Sequence, residues 1–119
     1  MRMWLAVIAF ALCSCATVQP ATWTARVTGT VDASFTGSVM LSQRSGALVS
    51  NSVQGRIPRN PDGSAGWAEY TVTDGSRIVS ATYINTGGKS IRAELLRNKT
   101  IIAHGEASGS FATVLLNPP

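Results

Sequence analysis

The sequence predicts an all-β fold, an antiparallel immunoglobulin-like sandwich of about seven to eight strands that follows a cleaved signal peptide. Apolar and polar residues alternate strictly over residues 23–36. Further short runs with strand character recur at roughly 8–12-residue spacing between turn-forming residues. No window shows the period of an amphipathic helix. The predicted domain covers residues 23–119, a length typical of one such sandwich.

The first alternating segment defines a buried face and a solvent face. Successive residues of a strand point to opposite sides of the sheet, so alternation over residues 23–36 places one set of side chains on a core. The segment is either one long strand or two strands divided by a bend at Gly29. The core-facing set comprises Trp23, Ala25, Val27, Gly29, Val31, Ala33 and Phe35.

The later strands are shorter and alternate with turns. Residues 77–85 are apolar on both faces, which predicts a central strand. Residues 45–52 are rich in serine and form either a loop or a weak edge strand. Asp-Gly, Asn-Pro and Gly-Gly pairs mark several of the turns. The remaining predicted strands cover residues 39–41, 53–57, 67–73, 90–97, 100–106 and 111–116.

The first fourteen residues predict a secretory leader. Arg2 precedes an uncharged apolar run over residues 4–12, which is the layout of a signal peptide. This run is much shorter than the roughly 20 apolar residues that a membrane-spanning helix needs. Residues 1–14 are therefore expected to be removed on export.

The end of the leader carries a signal for lipid attachment. Leu12-Cys13-Ser14-Cys15 resembles the lipobox of bacterial lipoproteins. The resemblance implies cleavage after Ser14, a diacylglycerol thioether on Cys15 and a lipidated tether over residues 15–22. Two or three acyl chains would hold the protein stably at a membrane of the cell envelope. In a Gram-negative host, the expected site is the outer membrane.

Two alternatives to this processing remain open. Cleavage after Ala16 also satisfies a small-residue rule and releases a protein without cysteine. Lipidation of Cys13 is the other alternative, although Ala11 fits the lipobox less well than Leu12. No cysteine follows Cys15, so the mature domain depends on its core and not on disulfides.

Groups that carry out catalysis are scarce. The chain has one histidine, two cysteines and six Asp and Glu residues, and the acids never cluster in sequence. His104 lacks the partners of a catalytic or metal-binding histidine and is expected to be an ordinary strand residue. The Gly-Gly-Lys-Ser run at 87–90 lacks the first glycine of a phosphate-binding loop. We therefore expect no enzymatic activity, no catalytic residue, no metal and no cofactor.

The charge balance is basic. Ten Lys and Arg against six Asp and Glu leave a net charge of +4, and loss of Arg2 with the leader leaves nine against six, or +3. A solvated surface is the simpler interpretation. Contact with anionic lipid head groups is the functional one. Export and the lack of interleaved basic and aromatic residues argue against a nucleic-acid partner.

Three residues are the predicted contacts for a protein partner. Arg56, Arg59 and Trp67 flank the longest turn-rich loop. Arginine and tryptophan are also the residue types that most often anchor protein interfaces. Core packing is the competing interpretation for Trp67.

Three stretches, 27–36, 80–95 and 101–114, resemble the extracytoplasmic domain of the mycobacterial MmpS proteins. These proteins are small membrane-anchored accessories of large lipid and siderophore exporters. The resemblance implies an immunoglobulin-like sandwich and an accessory role in the envelope. This chain departs from the family pattern because Ala93 and Val114 or Leu115 stand where the family has a cysteine pair. The expected anchor also differs, a lipid in place of a transmembrane helix.

The sequence therefore predicts a non-enzymatic, lipid-anchored envelope protein. The first interpretation is an accessory or structural component of a membrane transport, secretion or surface complex. The alternative is a small binding or blocking lipoprotein that occludes a receptor or an enzyme. An accessory needs a flat sheet edge or an apolar patch, whereas a blocker needs an exposed loop with aromatic or arginine anchors.

The lipid anchor is tested by changing Cys15→Ala. This variant is expected to lose acylation and to move from the membrane fraction to the soluble fraction, which fractionation and mass spectrometry of the amino terminus measure. Cys13→Ala is the matched control and should stay in the membrane. Membrane retention of Cys15→Ala with an acylated Cys13 would show that the other cysteine carries the lipid.

Overall fold

The computed structural model describes residues 20–119, which form two antiparallel four-stranded sheets. One sheet has the order β4-β1-β6-β7, and the other has the order β3-β2-β5-β8. The predicted all-β sandwich is confirmed, with eight strands. The strands are β1 (Trp23–Gly29), β2 (Ser34–Ser42), β3 (Leu48–Arg56), β4 (Ala68–Val72), β5 (Arg77–Asn85), β6 (Ile91–Arg97), β7 (Thr100–Ala107) and β8 (Thr113–Leu116).

The strand order is not that of an immunoglobulin domain. In the constant-type immunoglobulin order the first strand pairs with the second. Here β1 lies between β4 and β6, and β2 lies between β3 and β5 in the opposite sheet. The chain thus shares the two-sheet architecture with that fold but connects its strands differently. Within residues 20–119 no helix is long and apolar enough to cross a membrane.

The alternating segment is two strands, which is the second of the two alternatives. β1 ends at Gly29, whose φ of 144° is open mainly to glycine. A Cβ at this position would also collide with the carbonyl oxygen of Ser90. The chain then crosses between the sheets through residues 30–33, so Ala33 and Phe35 enter the same core from the other side.

The core lies between the sheets and is built from the inward side chains of both. Phe35 and Tyr83 pack edge to face there, with ring centroids 5.8 Å apart. Burial raises the pKa of the Tyr83 phenol to about 12. The largest fully buried side chains are Tyr83, Ile57, Ile78, Ile91, Leu95, Val27, Val39 and Asn85. Both sheets contribute to this set.

Several element predictions are confirmed by the strand pairing. β5 is central, between β2 and β8. The serine-rich stretch is divided, since residues 45–47 lie in a loop and residues 48–52 belong to the edge strand β3, which continues to Arg56 without a break. The β6–β7 hairpin turns at Asn98 and Lys99, whose φ values of 50° and 69° are those of a two-residue primed turn.

The two ends of the sandwich differ in what they carry. At one end, which we call the entry end, residues 20–22 lead into β1. The same end carries loops 43–47, 73–76 and 98–99. At this end Thr22 and Asn98 exchange hydrogen bonds, with Thr22 N–H 2.9 Å from Asn98 Oδ1 and Asn98 N–H 2.8 Å from Thr22 O. The far end carries loops 30–33, 57–67, 86–90 and 108–112.

Asn85 joins two loops of the far end. Its side chain is fully buried and donates from Nδ2 to the carbonyl oxygens of Lys89 and Ala107. Its Oδ1 accepts from Gly87 N–H at 3.1 Å. The loop after β5 and the end of β7 are thereby held by one amide, because every polar atom of that amide is paired inside the protein.

Asn85→Ala is expected to destabilise the fold by about 2–4 kcal/mol, because it removes the three hydrogen bonds of a fully buried side chain and leaves a cavity in its place. Urea unfolding followed by circular dichroism measures the loss. Asn117→Ala, at an exposed position, is the matched control and should change stability by less than about 0.5 kcal/mol. Equal, small effects from both variants would contradict the role of Asn85.

Candidate functional site

A network of charged side chains covers the outer face of the sheet that contains β1 and β6. Glu94 lies at its centre, opposite Arg26 in the β1–β6 register. Arg26 donates to Glu94 Oε1 from Nε at 2.8 Å and from Nη2 at 2.7 Å. Arg92 donates from Nε to Oε2 at 3.1 Å, and its Nη1 lies 3.5 Å from Oε1 of Glu106. Antiparallel pairing thus assembles these charges from residues far apart in sequence.

The network sets the charge state of Glu94. The side chain is only 9% exposed, and this burial by itself raises the pKa of the carboxyl. Hydrogen bonds and the charges of Arg26 and Arg92 act in the opposite direction and together outweigh it. The net pKa of Glu94 lies below its usual value, so the carboxylate is ionised at neutral pH.

Trp67 extends the network toward the far end. The ring lies under the Arg26 guanidinium, with 5.1 Å between Arg26 Cζ and the centroid of the ring. Its indole Nε1 donates to Glu69 Oε1 at 2.8 Å. The side chain is still 52% exposed. Trp67 is therefore an oriented surface aromatic and not a core residue.

The other two predicted partner contacts lie elsewhere on the far end. Arg56 is the last residue of β3, in the opposite sheet from Trp67, and Arg59 pairs with Ala65 across a small loop. Both arginines are exposed. Within residues 20–119, neither makes a cation–π contact or a hydrogen bond with Trp67. The three residues share one end of the molecule but do not form one cluster.

Phe111 is a far-end residue that the sequence did not single out. Its side chain is 76% exposed, and its backbone has a φ of 64°, a conformation that aromatic residues rarely adopt. The Phe111 N–H donates to Asn85 O at 2.6 Å, which holds this conformation. The sequence carried no signal for it, because Phe111 reads as the first apolar residue of a strand.

The free edge of β3 is the most open edge of the two sheets. β3 pairs with β2 over nine consecutive residues without a bulge, and Arg56 is its only charged residue. The other three edges are protected in ways that natural sheets commonly use. β4 is five residues long and carries Glu69, β7 contains an irregularity opposite Leu95 and Leu96, and β8 has four residues.

An apolar crevice lies beside this edge. β3 and β4 are the edges of the two sheets on the same side of the sandwich. Between them a cavity of about 330 Å³ reaches the core aromatics Phe35 and Tyr83. Val53, Ala68 and Tyr70 are among the other side chains that line it. The crevice offers apolar space directly beside unpaired backbone groups.

The residues that the sequence analysis considered for catalysis, metal binding and lipidation are placed as follows. His104 is exposed on the edge strand β7, opposite Glu94 in the register. No group of three or more His, Cys, Asp or Glu side chains within residues 20–119 is placed to hold a metal ion. The predicted lipidation site, Cys15, lies outside the residues that the structure describes.

Comparisons with known proteins add little to this description. No family model matches the chain, and no curated protein matches it. A calcium-dependent 11R-lipoxygenase, whose structure suggests a mechanism for regulation by calcium, is a similar solved structure at a TM-score of 0.33 and 15% sequence identity. The match covers 82% of this chain and 17% of the lipoxygenase chain. A similarity of this size bears on neither activity nor substrate.

The Glu94 network predicts a loss of stability in acid. A carboxyl whose pKa is lowered by folding contributes stability that is present above its unfolded pKa and is lost as pH falls through the folded pKa. The contribution should therefore disappear as pH falls below 4.5. Glu94→Gln is expected to cost about 1–2 kcal/mol near pH 7, since the arginines are partly exposed.

This cost is measured by urea unfolding at about pH 7 and at about pH 3. In acid, Glu94→Gln and the unchanged protein should become similar in stability. Glu106→Gln is the matched control, because that side chain is 70% exposed and its nearest arginine nitrogen is 3.5 Å away. It should have little effect at either pH. An equal cost of Glu94→Gln at both pH values would contradict the ionic origin of the effect.

Proposed function

We propose that this chain is a non-enzymatic, lipid-anchored protein of the cell envelope that binds an extended strand of a partner protein along the free edge of β3. In this role it is an accessory component of a membrane transport, secretion or surface complex. The observation that carries the proposal is the unprotected β3 edge beside the apolar crevice. Lipidation at Cys15 provides the anchor, as the lipobox resemblance implies.

The β3 edge supplies backbone recognition. An added strand gains main-chain hydrogen bonds along an exposed edge, and this mode of binding requires a long, regular strand. Leu48–Arg56 has the length and regularity, and its register with β2 has no shift. Stable folded proteins rarely leave such an edge open, because it also invites unwanted pairing. A dedicated partner strand explains why this edge is kept.

The crevice supplies side-chain recognition. Alternate residues of an added strand point to the same side, and on one side they would meet the cavity of about 330 Å³ beside Val53 and Tyr70. Such a cavity accepts apolar side chains, because Phe35, Val53 and Ala68 line it. The partner segment is therefore an extended strand whose residues alternate between apolar and polar.

The predicted contacts fit this arrangement at the far end. Arg56 ends β3 and lies where a partner strand would continue beyond the edge. Trp67 immediately precedes β4, the strand on the other side of the crevice. In the proposed complex these two residues contact the partner where it leaves the crevice, and Arg59 contributes from the adjacent loop.

Phe111 favours a second candidate function. A blocking lipoprotein needs an exposed loop with an aromatic anchor, and Phe111 is 76% exposed in a loop of the far end. Backbone strain of this kind is often found at functional sites. In this alternative the loops 57–67 and 108–112 contact the target, and the β3 edge does not.

The two candidates are separated by hydrogen exchange on the acylated protein, isolated with its partner from the membrane. A photo-crosslinker at Ser52 identifies the partner, and the same crosslinker at Thr113, on the opposite edge of the same sheet, is the control. Partner-dependent protection of amides in β3 would support strand addition. Protection confined to loops 57–67 and 108–112 would contradict it and favour the blocking function.

A charged variant of the edge tests the same proposal quantitatively. Ser50→Lys with Ser52→Lys, both at exposed positions of β3, should weaken partner binding about tenfold or more, because lysines on an edge oppose strand addition. Thr113→Lys with Leu115→Lys adds the same charge to β8, the other edge of the sheet, and should bind normally. Titration of the purified partner measures both affinities.

Three results would contradict the proposal. The first is an equal loss of affinity in the two double variants. The second is normal binding by the β3 variant. The third is concentration-dependent pairing of the chain with itself through β3, detected by analytical ultracentrifugation, in place of binding to a different protein.

A further inference from the structure

A basic cavity lies at the entry end. It has a volume of about 520 Å³. Three arginines line it, contributed by a loop, by the first residue of β5 and by the last residue of β6. All three are exposed to solvent. They are Arg44, Arg77 and Arg97.

Two of the three arginines are held by neighbouring groups. The Arg97 guanidinium lies over the ring of Trp23, with 5.7 Å between Arg97 Cζ and the ring. The Arg44 side chain packs against Gly75, where an added Cβ would lie 2.5 Å from Arg44 Nε. These contacts fix the cations beside the cavity. A lysine, with its point charge on a flexible chain, would be less well positioned.

The positive charge of the cavity is only partly offset within the described part of the chain, by Asp74, which lies within electrostatic reach of Arg44. The ion pairs of residues 20–119 involve Arg26 and Arg92, on the outer face of a sheet, and none involves the cavity arginines. Asp74 is the only acidic side chain at the entry end. Four cationic side chains, the three arginines and Lys99, therefore stand against one acidic side chain at this end.

The far end has no comparable excess. Its cations are Arg56, Arg59 and Lys89, and its carboxylates are Asp32 and Asp62. The charge of the domain is therefore polarised along the strands, with most of the excess at the end where the chain enters.

The chain enters through the wall of the cavity itself. Pro20 and Ala21 line it, and Pro20 follows Cys15 by five positions. Five extended residues span at most about 17 Å. A lipid on Cys15 therefore keeps Pro20, in the wall of the cavity, within about 17 Å of the lipid. A tether that is less than fully extended brings the cavity closer to the membrane surface, and anionic head groups attract the arginines within about one Debye length.

We infer that the entry-end cavity binds the phosphate head groups of anionic phospholipids and so holds the domain upright, with its far end directed away from the membrane. Arginine is suited to this contact because its planar guanidinium donates two hydrogen bonds to one phosphate. The orientation rests on the proposed lipid anchor, whereas the affinity for anionic lipid does not. The two can therefore fail independently.

The affinity is tested on residues 16–119, produced without leader or acyl group, which include the eight strands and all the buried residues of the part of the chain that the structure describes. Its binding to phosphatidylcholine vesicles with about one third phosphatidylglycerol is measured by sedimentation, and pure phosphatidylcholine is the reference. Each arginine near an anionic surface contributes about fivefold in affinity. Arg44→Gln, Arg77→Gln and Arg97→Gln together should weaken binding about 100-fold.

Two matched variants separate a defined site from net charge. Arg56→Gln, Arg59→Gln and Lys89→Gln remove the same charge from the far end and should change binding by less than about threefold. Arg44→Lys, Arg77→Lys and Arg97→Lys keep the charge and should bind anionic vesicles more weakly than the unchanged chain but more tightly than the glutamine variant, because lysine cannot donate the paired hydrogen bonds of a guanidinium. Thermal unfolding of each variant confirms that it is folded, so a loss of binding reports on the surface.

Three results would overturn the inference. One is equal loss of binding from the entry-end and far-end glutamine variants, which would show that only net charge matters. Another is equal binding of the unchanged chain to anionic and neutral vesicles. The last is release of the chain from vesicles by millimolar inorganic phosphate at constant ionic strength, which would identify free phosphate as the ligand.

Discussion

The burial of two apolar sheet faces against each other is the interaction on which the rest of this molecule depends. No cysteine after Cys15 is present to cross-link the domain, so the inward side chains of β1, β2, β5 and β6 supply its cohesion. Because the inward faces of the strands supply the core, the outward faces can carry charged side chains. This packing fixes the positions of the strands that carry the Glu94 network, the Trp67 ring and the basic cavity.

Some polar groups on the outer surface have partners within the domain, and others do not. Arg26 and Arg92 are balanced by Glu94 and Glu106, so this network orients Trp67 without leaving a net charge for a ligand. The β3 edge has unpaired backbone groups, and the cavity between Arg44 and Arg97 has unpaired positive charge. Surfaces with hydrogen-bonding groups or charges that lack partners within the domain are the ones suited to binding other molecules.

The sequence was most informative about local pattern. Alternation identified β1 and the inward residues Ala25 and Val27, and apolarity on both faces identified β5 as central; both predictions are confirmed. Alternation reports which face of a strand is buried but not which strand lies beside it. For that reason the crossing after Gly29 and the gathering of three distant arginines could not be predicted. The conformation of Phe111 depends on a bond to Asn85, which is likewise a tertiary feature.

The direction of β3 has a consequence for crowding on a membrane. The strand runs from the entry end to the far end, so copies anchored by their entry ends would all carry it pointing away from the lipid. Two such edges can meet only side by side in the same sense, and parallel pairing is less stable per residue than antiparallel pairing. Anchoring every copy by the same end would thus disfavour pairing between the β3 strands of neighbouring copies. A partner strand that runs toward the membrane could still pair with β3 in the more stable antiparallel direction.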